Sequence, residues 1–209
     1  MQMLEPTVFL IDDDAAVRDS LSLLIRSIGL HVKAFEDVQQ FLEHYRADMI
    51  CCLILDIRMP GVNGLSFQES LNKNGNTIPV IFITGHGDLA QCTRAFKAGA
   101  IDFLVKPIDE QALIDCVQKT MKLSEERNQV RLFKEDVLLK IRRLTDREKL
   151  TLALMVEGLP NKTIADKLNV SVRTVESHRA RTFEKLEVTS LADCIKLQLA
   201  YEEIQTQKD

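Results

Sequence analysis

Met49-Ile50-Cys51-Cys52-Leu53-Ile54-Leu55-Asp56-Ile57-Arg58-Met59-Pro60-Gly61 is the stretch whose reading decides the fold. The unbroken apolar or thiol run from Met49 to Leu55 has the pattern of a strand buried on both faces, as a parallel sheet requires. Asp56 is the first polar residue after the run, and Pro60-Gly61 turns the chain away. A carboxylate is therefore expected at the carboxyl end of a central strand. In open α/β sheets that edge is where ligands bind.

Three other apolar runs end the same way. Val8-Phe9-Leu10-Ile11 leads into Asp12-Asp13-Asp14, Val80-Ile81-Phe82-Ile83 into Thr84, and Phe103-Leu104-Val105 into Lys106-Pro107. Any one of these polar groups alone reads as an exposed strand end. Together, on parallel strands, they bring carboxylates, a hydroxyl and an ammonium to one edge.

Five alternations of strand-like run and helical periodicity over residues 1–121 predict a doubly wound, five-stranded parallel sheet. Val17, Leu21, Leu24, Ile25 and Ile28 recur at helical spacing before Gly29. A second strand is expected near residues 30–35, and helices near 37–45, 65–72, 89–98 and from 110 onward.

The chain of 209 residues is long enough for one or two domains. No apolar run approaches the roughly 20 residues that span a bilayer, and no basic-then-apolar leader opens the chain. A soluble, cytoplasmic protein with no membrane partner is expected. The five cysteines, Cys51, Cys52, Cys92, Cys116 and Cys194, have neither CxxC spacing nor neighbouring histidines, so they are read as small buried apolar residues. Net charge is −6 over residues 1–121, +3 over 122–143 and −1 over 144–209. The acidic front suits a cation site; nucleic-acid binding by the back must rest on local placement of charge.

Clustered carboxylates raise one another's pKa unless a cation neutralises them. Oxygen ligands without histidine or thiolate favour a hard ion, and Mg2+, which keeps waters and contacts phosphate, fits best. With Lys106 and Thr84 beside it, such a site can accept a phosphoryl group.

On these residues, Asp12-Asp13, Asp56, Thr84 and Lys106-Pro107, the chain resembles the CheY-like receiver domain of two-component response regulators over residues 6–121. The resemblance implies that Asp56 is the phospho-acceptor. It implies that Asp13, Asp56 and the backbone carbonyl of Arg58 hold Mg2+, with Asp12 acting through water. Thr84 and Lys106 match the phosphoryl contacts, Phe103 the aromatic switch, and the Lys106–Pro107 bond is expected to be cis. Thr84-Gly85-His86-Gly87-Asp88 is similar to the FixJ branch, where the positions of Arg58 and His86 tune the lifetime of the phosphoryl group.

Two other readings compete for these residues. Asp12-Asp13-Asp14 also fits the DxD nucleophile of haloacid-dehalogenase-like Mg-dependent phosphatases. That family needs a later strand ending in an acidic pair; none follows Lys106, and Asp56 would have no part. Gly85-His86-Gly87-Asp88-Leu89-Ala90 has a dinucleotide-like GxGxxA form, but it follows the fourth strand and lacks a suitably placed acid.

From Ile108 to Glu157 there is neither glycine nor proline. Val130, Phe133, Val137, Ile141 and Leu144 form an amphipathic stripe, so the join over residues 122–143 is expected to be helical. It can be a last receiver helix followed by a helix of the next domain, or a dimerising coiled coil.

Thr145-Asp146-Arg147-Glu148 is a capping box that starts a helix in which Leu150, Leu152, Ala153, Leu154 and Val156 are expected to supply core contacts, ended by Gly158 and Pro160. A short helix over residues 162–168, a tight turn at Asn169-Val170, and a helix capped by Ser171 and running to about residue 187 make a helix-turn-helix. With Val175 inward, Thr182 and Leu186 lie near it, while Arg173, Ser177, Ala180, Arg181 and Glu184 lie opposite, flanked by Glu176. Small residues with arginines around them suit a DNA groove and its phosphates.

Leu144-Thr145, Arg147-Glu148, Gly158-Leu159, Asn161-Lys162, Ile164-Ala165, Leu168, Val170-Ser171, Thr174-Val175, His178-Arg179 and Lys185-Leu186 resemble the LuxR-type DNA-binding domain of the FixJ/NarL regulators. The resemblance implies phosphate contacts at Lys162 and Thr174 and base-facing positions at Glu176, Ser177 and Ala180. Arg179, on the inner flank, is expected either to pair with Glu148 or to touch DNA. The last helix, near residues 190–204, is expected to expose Leu191, Cys194, Ile195 and Gln198 for pairing two DNA-bound domains. The whole reading is a receiver over residues 1–121, a helical linker over 122–143 and a small all-α DNA-binding domain over 144–209. Implied partners are a sensor histidine kinase, promoter DNA, RNA polymerase and a second copy on phosphorylation. No enzyme activity beyond phosphotransfer and self-dephosphorylation is expected.

Overall fold

The computed structural model describes residues 5–85 and 89–206. The chain divides into two compact units, Met1–Asn128 and Gln129–Asp209. In chain order the first unit contains β1 (Thr7–Ile11), α1 (Ala15–Ser27), β2 (His31–Phe35), α2 (Val38–His44), β3 (Cys51–Asp56), β4 (Arg58–Met59), β5 (Val62–Asn63), α3 (Gly64–Lys73), β6 (Val80–Thr84), α4 (Leu89–Lys97), β7 (Asp102–Val105) and the start of α5 (Glu110–Arg142).

The expected five-stranded sheet is present, with the order β2-β1-β3-β6-β7 and every pairing parallel. β1, β3 and β6 are buried along their whole length, which is why they carry continuous apolar runs instead of alternation. Phe9, Leu53 and Phe82 face a core shared with α2 and α3; Leu10, Ile54 and Ile81 face one shared with α1 and α5. The strand order reverses between β1 and β3, so the crevice at their carboxyl ends lies at the topological switch point. Asp12 and Asp56 flank that crevice.

A short antiparallel hairpin of β4 and β5, which the sequence reading lacks, follows Asp56 directly. Gly64 N donates to the Ile57 carbonyl at 2.9 Å and ties the hairpin's far end to the strand edge. A Cβ at Gly64 would collide with the Asp56 carbonyl oxygen, so this position admits only glycine without a backbone shift.

One unbroken helix, α5, occupies residues 110–142. Ser124 Oγ accepts a hydrogen bond from Cys51 N at 2.9 Å, and Arg127 Nη1 donates to the Thr77 carbonyl at 3.1 Å, holding this part of α5 to the first unit. Of the amphipathic stripe, Val137, Ile141 and Leu144 enter the core of the second unit, whereas Val130 and Phe133 are each 53% exposed.

The second unit adds α6 (Asp146–Val156), α7 (Asn161–Leu168), α8 (Val172–Leu186) and α9 (Leu191–Thr206). Thr145 and Glu148 form the expected reciprocal capping box at the start of α6. Of the α6 residues expected in the core, Leu152 is buried there and Leu154 and Val156 pack against it, but Leu150 and Ala153 are exposed, and Thr151 and Met155 are buried instead. Thr151 can be buried because its hydroxyl donates to the Arg147 carbonyl at 2.8 Å, within the helix. Cys194 corrects the expectation for the last helix, since it is fully buried in the core instead of exposed. Cys51, Cys52 and Cys116 are also buried and all five thiols are free. Among the described residues no helix is long and apolar enough to cross a membrane.

Candidate functional sites: an acidic sheet edge and a helix-turn-helix

Each polar group at the edge is placed by the end of a parallel strand. Asp12 follows β1, Asp56 ends β3, Thr84 ends β6 and Lys106 follows β7. The register carries on past the strands: Asp12 N donates to the Phe35 carbonyl, Ile57 N to Ile83 and Lys106 N to Thr84. The Lys106–Pro107 peptide is cis, as the resemblance implied.

Asp12 is fully buried, with Oδ1 accepting from Asp14 N at 2.9 Å and Oδ2 accepting from Lys106 Nζ at 2.6 Å. Asp56 is buried beside it, its Oδ2 3.6 Å from Lys106 Nζ, and its Oδ1 has no hydrogen-bond partner among the described residues. Burial pushes the Asp56 carboxyl above its ordinary value; Lys106 pulls it back and Asp12 adds to the rise. Burial works against the Lys106 ammonium, but its hydrogen bond to Asp12 and the charges of both aspartates outweigh this and raise its pKa.

Carboxylate oxygens of Asp12, Asp13 and Asp56 lie within 4.8 Å of one another. Asp13 is exposed, so the cluster opens to solvent on one side, where Asp13 and residues 57–63, Arg58 among them, line a depression of about 480 Å³. A buried oxygen without a donor, next to a solvent-facing carboxylate, suits a hydrated hard cation. With both of its oxygens already engaged, Asp12 is the least available direct ligand. Thr84 is fully buried; Phe103 is half-buried against the core shared with α2 and α3. His86, with Gly87 and Asp88, lies outside the described residues.

Asp14, the second acid of the DxD alternative, caps α1 by accepting from Ala16 N at 2.8 Å. Asp12, its nucleophile, is held by Lys106. Both are engaged in holding the fold, whereas Asp56 keeps an Oδ1 without a hydrogen-bond partner among the described residues.

In the second unit, Asn169 closes α7 in the left-handed region at φ 53°, and Ser171 caps α8 by accepting from Thr174 N at 3.1 Å. The helical wheel is reproduced: Val175, Thr182 and Leu186 are buried, while Arg173, Glu176, Ser177, Ala180, Arg181 and Glu184 are exposed. Lys162 is exposed at the start of α7. Thr174 is half-buried, its hydroxyl 2.8 Å from Ser171 Oγ. Arg179 does not pair with Glu148. Its Nη1 donates to Asn161 Oδ1 at 2.7 Å, and Glu148 instead receives Lys185 Nζ at 2.6 Å. Lys185 wins because it projects from α8 toward the α6 N-terminus, where Glu148 already accepts from Thr145 N.

An acidic parallel-sheet edge followed on one chain by a helix-turn-helix defines the two-domain response regulators as the class of comparison. The family profile "Response regulator receiver domain" matches residues 8–118, and "Bacterial regulatory proteins, luxR family" matches residues 142–198. The transcriptional regulatory protein FixJ of Azorhizobium caulinodans is 40% identical over 192 residues, covering 92% of this chain and 91% of that protein. The response regulator protein TmoT of Ectopseudomonas mendocina is 38% identical over 193 residues, covering 92% and 88%. The solved structure of the response regulator StyR superposes with a TM-score of 0.90 at 44% identity, covering 94% of this chain and all of that one. The chain belongs to the FixJ/NarL-type response regulators, with a receiver domain joined to a LuxR-type DNA-binding domain. The phosphatase alternative finds no support in these matches.

Proposed function

We propose that Asp56 accepts a phosphoryl group from a sensor histidine kinase and that this governs binding of promoter DNA through α8. The observation that carries the proposal is the Asp56 carboxylate, buried beside Lys106 and the Asp12–Asp13 pair, with an Oδ1 that has no hydrogen-bond partner among the described residues. In the transfer, an Asp56 oxygen bonds to phosphorus as the phosphorus–nitrogen bond to the kinase histidine breaks. Asp13, Asp56 and the Arg58 carbonyl would hold Mg2+, with Asp12 reached through water, and the ion would offset charge on the phosphoryl oxygens. Lys106 supplies the opposite positive charge, and Thr84 a hydroxyl at the neighbouring strand end. Water attack on the same acyl phosphate gives self-dephosphorylation.

Thr84 and Phe103 are the residues through which the phosphoryl group is read. The face they control includes α4 and β7, where Leu89, Phe96 and Val105 are exposed large apolar residues. That face suits pairing of two phosphorylated copies. Pairing strengthens DNA binding because the second contact becomes effectively intramolecular. On DNA, Arg173 and Arg181 serve phosphates or guanine edges, Lys162 and Thr174 phosphates, and Glu176, Ser177 and Ala180 face the bases. RNA polymerase is the downstream partner, the site of action is the cytoplasm, and the functional boundaries are residues 1–121, 122–143 and 144–209.

Sedimentation of the protein with and without a small phosphoryl donor, in parallel with selection of bound genomic fragments, tests the coupling. Dimer formation and tighter fragment binding, both lost in Asp56→Ala, are expected. Equal mass and equal affinity in the two states would refute it.

A further inference from the structure

α7 begins without a side-chain cap. Pro160 occupies the N-cap position and provides no side-chain hydrogen bond to the first turn. Asn161, the first residue of α7, instead accepts a hydrogen bond from Arg179 Nη1 on α8 at 2.7 Å, with both residues half-buried. Lys162 follows Asn161 immediately and is exposed. The guanidinium is thus turned away from the exposed face of α8 formed by Arg173, Ser177, Ala180 and Arg181 and is spent on the neighbouring helix. The buried Cys194 thiol of α9 is raised to about 11, by burial first and the Asp193 charge second, with the Arg179 charge opposing them.

We infer that Arg179 is a positioning residue for DNA binding, fixing the first turn of α7 through Asn161 so that Lys162 meets a phosphate while α8 lies in the groove. The inference rests on the proposed phosphate contact of Lys162. Two helices then approach the duplex as one rigid unit, with the register between phosphate and base contacts set by a single charge-assisted hydrogen bond.

The salt dependence of affinity separates this role from direct contact, because each neutralised phosphate contributes a slope of about 0.9 in log affinity against log salt. The full chain and its Lys162→Ala, Arg179→Ala and Asn161→Ala variants, with the Arg179→Ala/Lys162→Ala pair, are titrated onto a random-sequence DNA duplex at several salt concentrations. Thermal unfolding of each variant is recorded alongside. Lys162→Ala is expected to lower the slope by about 0.9, one phosphate's share. Arg179→Ala and the uncharged change Asn161→Ala should each do nearly the same, and the double variant no more. A slope lowered about twice as far in the double variant would make Arg179 a DNA contact and overturn the inference. So would Asn161→Ala at the parent slope, and this variant keeps the test in force if Arg179→Ala fails to fold. A normal slope for Lys162→Ala would overturn the phosphate reading and the inference with it, whereas an affected Lys162→Ala with unaffected Asn161→Ala overturns the inference alone.

Discussion

Lys106 Nζ lies 2.6 Å from Asp12 Oδ2, joining residues from the first and last strand ends of the sheet across the switch point. The contact explains how two buried carboxylates, Asp12 and Asp56, coexist at one edge before any phosphoryl group arrives.

Lys106→Met should therefore destabilise the first unit. Breaking a buried pair costs on the order of 3 kcal/mol, the low end of the usual range because the Lys106 side chain keeps 23% exposure. Added Mg2+ should recover more stability in the variant than in the parent, since the ion would replace the missing positive charge. Chemical denaturation with and without Mg2+ measures this; equal stabilisation of both proteins would mean that the ion and Lys106 do not share a site.

Gly64→Ala places a methyl group against the Asp56 carbonyl oxygen. Overpacking of this kind costs roughly 1–3 kcal/mol. Because the displaced backbone carries Asp56, acceptance of a phosphoryl group should slow by more than the loss of folded protein explains. Labelling rates normalised to the folded fraction decide the point; an unchanged normalised rate would show that the hairpin does not position the acceptor.

The second unit should lose stability in acid through Glu148. Burial alone would raise the Glu148 carboxyl, but hydrogen bonds from Lys185 and Thr145 outweigh it and hold the pKa below the ordinary 4.5. A carboxyl whose folded pKa lies below its unfolded value contributes stability above the unfolded value and loses it as pH falls through the folded one. Denaturation midpoints should therefore fall below about pH 4.5, with a shallower decline in Glu148→Gln. Parallel acid profiles for the two proteins would remove Glu148 from the account.

Thr182 is fully buried in α8 and its Oγ1 has no hydrogen-bond partner among the described residues. Thr182→Val keeps the shape and removes the orphaned hydroxyl, so it should stabilise the second unit by about 1 kcal/mol. Urea denaturation of the full chain reads the change directly, and a destabilised variant would imply a partner for the hydroxyl.

The sheet edge was legible in the sequence because parallel strands buried on both faces announce themselves as apolar runs, so that the first polar residue after each run marks its end. The faces of α8 were legible because Val175, Thr182 and Leu186 are spaced for one side of a helix. The β4–β5 hairpin was not, since two-residue strands have no periodicity to read. α6 misled because Thr151 satisfies its hydroxyl within the helix and so is buried like an apolar residue. On α9, apolar residues surround the axis and no stripe distinguishes Cys194 from Leu199, although one is buried and the other half exposed. Partner choice also escaped the wheel, which gives the direction of Arg179 and Lys185 but not which of Asn161 and Glu148 each can reach.

The most direct test of the central claim is the intact mass of the parent and of Asp56→Ala after incubation with a small phosphoryl donor, with and without Mg2+. One phosphoryl adduct, formed by the parent only when Mg2+ is present and never by the variant, is the predicted result. An adduct of equal yield on Asp56→Ala would contradict the assignment of the acceptor.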